Sequence, residues 1–186
     1  MRDTRRVAIL ISGRGSNMRA LVEQADSYSV VLVASNKPEA PGLAWAGERG
    51  LATWALDSKG LDKESFDRKL SEALDEHDVG TIALAGFMRI LTPWFVNQWR
   101  GRIVNVHPSL LPKYRGLDTH ARALDAGDAA GGCSVHIVTE DLDAGEVLGQ
   151  VEVPIEAGDT PESLEQRVLA AEHRLYPGVL KEFVSR

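Results

Sequence analysis

The stretch Val7-Ala8-Ile9-Leu10-Ile11-Ser12-Gly13-Arg14-Gly15-Ser16-Asn17-Met18 decides the architecture. Its first five residues are all apolar, the mark of a strand covered on both faces, because a strand with one wet face would alternate. Ser12-Gly13-Arg14-Gly15-Ser16-Asn17 breaks the run at once, and Met18, Leu21 and Val22 then recur at helical spacing. Strand, glycine-rich turn and helix open a parallel α/β sheet, and such a turn can aim free backbone N–H groups at an anion. The same turn also fits a purely structural reading, with a Ser or Asn capping the helix. A Walker loop needs Gly-Lys-Ser/Thr, which is absent, and a dinucleotide fingerprint needs glycine where Met18 stands. The second apolar run, 30–34, leads to Ser35-Asn36 instead of the carboxylate that would hold an adenosine ribose. The turn therefore suits a lone phosphate better than a pyrophosphate.

Working outward, a short helix is expected over 43–50, ended by Gly50, and a third strand over 51–56. Asp62 caps a helix whose Phe66, Leu70 and Leu74 form one apolar stripe. A strand over 79–85 follows, then a helix opened by Thr92-Pro93. A short buried strand spans 103–106, and His120, Ala121 and Leu124 suggest a helix ended by Gly127. Residues 129–132 read as a break. Residues 134–138 alternate, as in a strand with one wetter face, and 147–153 form a further strand. The last helical region starts at Thr160-Pro161 and buries Leu164, Val168, Ala171 and Leu175, with Tyr176-Pro177 bending or interrupting it. Strands alternating with helices over the first hundred residues predict an α/β fold, a doubly wound and mostly parallel sheet. The short acidic link at 140–145 predicts an antiparallel strand pair near the C-terminal part. The whole, 1–186, is expected to be one domain.

Composition narrows the chemistry. A net charge of −6 and a pI near 5.4 argue against a general nucleic-acid binder. No apolar stretch has the length of a membrane span, and the run after the charged start is too brief for a signal peptide. A single cysteine, Cys133, rules out an internal disulfide and reads as a small buried residue in a reducing compartment. Cytoplasm is the expected location, with small-molecule partners and neither nucleic acid nor membrane. The five histidines show no paired ligand spacing, so no metal is expected.

The reactive chemistry is expected around Asn105-Val106-His107-Pro108-Ser109-Leu110-Leu111-Pro112. Asn105 and His107 stand two apart, so on an extended strand they share a face, and the prolines then commit the chain to a loop. Ligands in open α/β sheets bind just beyond the carboxyl ends of strands. Ser109 lacks the context of an activated nucleophile. Asp143 lies in the acidic turn. Singly, a strand-end His and an Asp-Ala-Gly turn are ordinary features. Together, an amide donor, a proton-carrying imidazole and a carboxylate suit acyl transfer to an amine with no covalent enzyme intermediate. Asn105 and protonated His107 would donate to the developing oxyanion, a contribution of about 3 kcal/mol per donor. Asp143 would favour the charged imidazolium, orient the ring, or take the amine proton through a water.

Four segments, 12–17, 86–91, 105–112 and 141–145, occur in an order that resembles the folate-dependent formyltransferase family, and within it the phosphoribosylglycinamide formyltransferases. The resemblance runs from Val7 to about Phe183 and implies a Rossmann-like formyltransferase fold. It implies transfer of a formyl group from 10-formyltetrahydrofolate to the amine of glycinamide ribonucleotide in purine synthesis, with no metal and with a monomer or homodimer as the working unit. By this resemblance Asn105, His107 and Asp143 are catalytic. Gly15, Ser16 and Asn17 hold the substrate phosphate and ribose region, and Glu172 contacts the ribose. Met88, Arg89, Ile90 and Leu91 form the wall that receives the pterin, with Asn105 beside it and Thr139, Glu140 and Asp141 closing over it. Lys63 stands where relatives often carry an Arg touching the folate tail, keeping the charge without the bidentate fork. Asp118 stands where some relatives carry a His. The loop 110–132 resembles a mobile cover. Methionyl-tRNA formyltransferases and formyltetrahydrofolate deformylases share the catalytic trio. The former need a basic surface and the latter do not need a phosphate cradle, so both fit this acidic, cradle-bearing chain less well. A phospho-ligand sensor would need no proton donor.

Overall fold

A computed structural model describes residues 2–186. Its strands are β1 (Arg6–Ile11), β2 (Ser29–Ser35), β3 (Thr53–Ala55), β4 (Thr81–Leu84), β5 (Ile103–His107), β6 (Ala130–Ile137) and β7 (Val147–Pro154), in one sheet ordered β3-β2-β1-β4-β5-β6-β7. The first five run parallel and the last two add antiparallel pairings. The mostly parallel α/β sheet is thus as expected, and its antiparallel part includes β5 with β6 as well as β6 with β7.

The helices are α1 (Ser16–Glu23), α2 (Pro41–Glu48), α3 (Lys63–Glu76), α4 (Pro93–Gln98), α5 (Thr119–Asp125) and α6 (Pro161–Val184). Val7 to Ile11 are fully buried and divide by parity. Val7, Ile9 and Ile11 join the core that α1 and α6 cover, while Ala8 and Leu10 join the core that α3 and α4 cover. Each face holds its own apolar layer, which is why β1 shows no alternation. Strand order doubles back at β1, with β2 on one side and β4 on the other. That reversal leaves a crevice beyond the carboxyl ends of β1, β4 and β5.

Asp62, Thr92 and Thr160 cap α3, α4 and α6 as read, each accepting a backbone N–H three residues on. Two readings are corrected. Residues 129–132 are no break: Ala130, Gly131 and Gly132 begin β6. A Cβ on Gly132 would stand 2.2 Å from the Val151 carbonyl oxygen and 2.7 Å from Leu110, so this glycine serves close approach to β7. Pro177 does not interrupt the last helix, since α6 runs through it for 24 residues. The His173 carbonyl, left without its i+4 donor, accepts from Gln24 Nε2 at 3.4 Å. Buried Leu164, Val168, Ala171, Tyr176, Leu180 and Val184 hold the helix against the sheet, which outweighs the roughly 3 kcal/mol that a mid-helix proline costs. Cys133 is fully buried, and burial pushes its thiol up to about 12.

Candidate active site

The turn after β1 is a cradle of backbone. Gly15 takes the left-handed conformation (φ 70°) at the N-cap of α1, where no side chain caps the helix, so the reading of a Ser or Asn cap is corrected. The first-turn N–H groups of α1 are left to whatever lies outside. Gly42 sits under the turn, donating its N–H to the Gly13 carbonyl at 3.0 Å; a Cβ there would meet the Gly13 and Arg14 carbonyls at 3.1 Å. Ser12 ties three strand-end loops together: its hydroxyl donates to Asn36 Oδ1 at 2.6 Å and accepts the Met88 N–H at 2.8 Å.

Asn17 and Glu172, 155 residues apart, meet beside this cradle, with Asn17 Nδ2 donating to Glu172 Oε2 at 2.7 Å. Both are buried, and Asn17 Oδ1 has no partner. Burial raises the Glu172 carboxyl to about 7; the Asn17 bond opposes the rise and the Glu165 charge adds to it.

Two strands away, the end of β5 presents the predicted trio. His107 is buried, and its Nε2 donates to the Tyr114 carbonyl at 2.8 Å. Its Nδ1 faces Asp143 Oδ2 at 3.4 Å, an ion-pair separation. Asp143 also accepts the Gly116 N–H at 2.9 Å and reaches its place with a positive φ of 50°, which Asp tolerates. Each His107 ring nitrogen thus faces one oxygen, a backbone carbonyl on one side and a carboxylate on the other.

His136 completes the cluster, and the sequence reading missed it. It lies opposite Asn105 in the β5–β6 register. Its Nδ1 is 3.0 Å from the Ile137 carbonyl, which can only accept, so Nδ1 carries the proton and Nε2 is a lone pair. Asn105 Nδ2 lies 3.3 Å from that nitrogen and donates to it. This fixes the amide orientation of Asn105 and leaves its second N–H available. Burial pushes the His136 imidazole down, against the pull of the Ile137 carbonyl and Asp143, which fits a neutral ring. The Asp143 oxygen 3.6 Å from Nε2 is a neighbour without a bond. The alternation of 134–138 was visible in the sequence; the antiparallel register that sets His136 beside Asn105 was not.

Ser109 is structural: its hydroxyl donates to the Lys113 carbonyl at 2.6 Å, and Ser134 and Gln150 hold the loop around it. Met88 and Ile90 are 69% and 66% exposed, and Leu91 is buried. Arg89 lies over the Phe66 ring at 4.5 Å. Thr139, Glu140 and Asp141, with Val96 of α4 and Val138, line an open cleft of about 500 Å³. Exposed Lys63 opens α3, and no polar contact joins it to these groups. Asp118 is the N-cap of α5, exposed and in the left-handed region. One strand, β4, separates β1 from β5, so cradle and trio stand roughly 10 Å apart, two inter-strand spacings.

A mostly parallel sheet with these two clusters beyond the carboxyl ends of its strands is an α/β domain built to bind ligands there. The chain belongs to the formyl transferase family, whose model matches residues 5–180, and is an enzyme of the transferase class. Within that family it is similar to phosphoribosylglycinamide formyltransferase of Escherichia coli (strain K12), 44% identical over 182 residues, covering 95% of this chain and 86% of that protein. It is likewise 44% identical over 181 residues to the trifunctional purine biosynthetic protein adenosine-3 of Bos taurus, covering 95% of this chain but only 18% of that much longer protein. Among solved structures, phosphoribosylglycinamide formyltransferase from Brucella melitensis superposes with a TM-score of 0.92 at 48% identity, covering 100% of this chain and 97% of that one.

Proposed function

We propose that this chain transfers a formyl group from 10-formyltetrahydrofolate to the amine of glycinamide ribonucleotide in purine synthesis, acting as a single cytoplasmic domain on small molecules. The observation that carries the reading is the pairing of two long-range clusters across β4, Asn17–Glu172 beside an anion cradle and Asn105–His107–Asp143 beyond it. The gap between them suits a ribosyl group with its phosphate at one end and its amine at the other.

In this reading the backbone at Gly15, Ser16 and Asn17 receives the phosphate, and Glu172 faces the ribose hydroxyls. The apolar side chains of Met88 and Ile90, held out in solvent, suit a flat heterocycle lying against them. Leu91, Arg89, Thr139, Glu140 and Asp141 complete that pocket, and Lys63 offers a charge to the glutamate tail. The folate supplies an electrophilic formyl carbon. Asn105 donates its free N–H to the formyl oxygen as negative charge develops there, and protonated His107 is the second donor. The new C–N bond costs the amine one proton, and the departing folate nitrogen gains one as the old bond breaks. Asp143 orients the His107 ring through its Nδ1 and relays the amine proton through water. His107 reaches the oxygen by exchanging its bond to the Tyr114 carbonyl, so residues 114–116 have to yield during turnover.

The test is an assay of purified protein with both substrates, following tetrahydrofolate. Release that requires glycinamide ribonucleotide is the expected result. Release without it would make the chain a deformylase, and no release would remove the assignment.

A further inference from the structure

We infer that Asp67 is a positioning residue for the co-substrate pocket, a carboxylate on α3 that clamps the backbone of residues 88–92 from below. This rests on the folate reading of that segment. Asp67 is fully buried on the inner face of α3, between the apolar core residues Phe66 and Leu70 of the same helix, where an apolar side chain would be expected. Burial raises its carboxyl above the usual range, opposed by two bonds from Thr92 and by the Arg89 charge.

Its contacts show what it holds. The Thr92 N–H and the Thr92 hydroxyl both donate to Asp67 Oδ2, each at 2.7 Å. With its one proton given to Asp67, the hydroxyl turns a lone pair to the Phe95 N–H at 3.3 Å and caps α4. Next door, Phe66 carries the Arg89 guanidinium on its face. Two consecutive residues of α3 therefore support both ends of 89–92, while Ser12 holds the Met88 N–H from β1. Between these anchors Met88 and Ile90 point into solvent. Apolar side chains keep that attitude only if the backbone is prevented from turning them inward. Asp67 touches no reacting atom and acts through Thr92.

The test compares Asp67→Ala with Asp67→Asn, which keeps an acceptor for both Thr92 donors. Amide hydrogen exchange is read over 86–92, and steady-state KM is read separately for 10-formyltetrahydrofolate and glycinamide ribonucleotide. In Asp67→Ala, exchange over 86–92 should quicken and the folate KM rise about 10-fold or more, with the ribonucleotide KM little changed, because small displacements of positioning groups are costly. Asp67→Asn should restore both. Unchanged exchange over 86–92 in Asp67→Ala would overturn the clamp. Faster exchange with an unmoved folate KM, or equal rises for both substrates, would overturn its link to the pocket. Wild-type turnover, measured first, tests the folate reading by itself, and exchange tests the clamp whatever that outcome. If Asp67→Ala fails to fold, Thr92→Val, which removes the hydroxyl's bond to Asp67 and its cap on α4 but keeps the N–H bond to Asp67, should give the same pattern in weaker form, and its absence would count against the clamp.

Discussion

His107 is engaged at both ring nitrogens, by the Tyr114 carbonyl of the loop that follows it and by Asp143 from a turn 36 residues on, so the ring is held in place until the Tyr114 bond is exchanged. His107→Ala should lower transfer by roughly 10²–10³ while leaving cooperative unfolding intact, as expected for one lost oxyanion donor. Near-normal turnover in that variant would end the acid role. Glu172 makes a different prediction. Its carboxyl, raised to about 7 against an ordinary 4.5, keeps its proton in the folded chain over a range where the unfolded chain has lost it. The contribution of Glu172 to stability therefore falls as pH rises from about 4.5 to 7, by up to about 3 kcal/mol. Glu172→Gln cannot ionise, so its stability relative to wild type should improve between pH 5 and pH 8. A difference that denaturant titrations find flat across that range would refute the assignment. At this scale the sequence showed Asn105 and His107 on one face because a two-residue period is local. It did not show His136, whose place depends on which strand pairs with β5.

The turn joining β6 to β7 shows how an element delivers one side chain. Gly145 passes so near β6 that a Cβ would stand 1.8 Å from the Ile137 carbonyl oxygen. Gly145→Ala should push the turn away and carry Asp143 with it, costing about 2 kcal/mol or more of stability together with a fall in kcat. Gly178, inside α6 with nothing within 4 Å of a Cβ, is the contrasting case: Gly178→Ala should gain about 0.5–1 kcal/mol and leave kcat alone. Chemical denaturation and steady-state rates on the two variants check both statements, and equal effects would contradict them. Caps were legible in the sequence because Asp62, Thr92 and Thr160 act within one turn. The path of α6 through Pro177 was not, since it depends on packing against the sheet and on a side chain from α1's end, Gln24. Likewise Gly131 and Gly132 read as a break only until β7 is beside them.

Across the whole molecule, α6 packs against β5, β6 and β7 and carries Glu172 to the cradle. Tyr176 is fully buried under it, and its hydroxyl donates to the Leu84 carbonyl at 3.0 Å, shared with the Val104 carbonyl at 3.2 Å, at β4 and β5 just below Asn105. Tyr176→Phe should cost about 1–2 kcal/mol and lower Tm by a few degrees; an unchanged Tm would show that the hydroxyl contributes nothing net. The chain by itself determined the α/β class, the glycine-rich turn, the helix caps and the shared face of Asn105 and His107, because each follows from short-range periodicity, backbone sterics or bonds within a turn. Only the tertiary structure decided that Asp143 and His136 stand beside Asn105 and His107, and that Glu172 meets Asn17 across 155 residues. Those meetings depend on strand register and helix docking, which are set by the summed burial of two apolar layers and by no local signal.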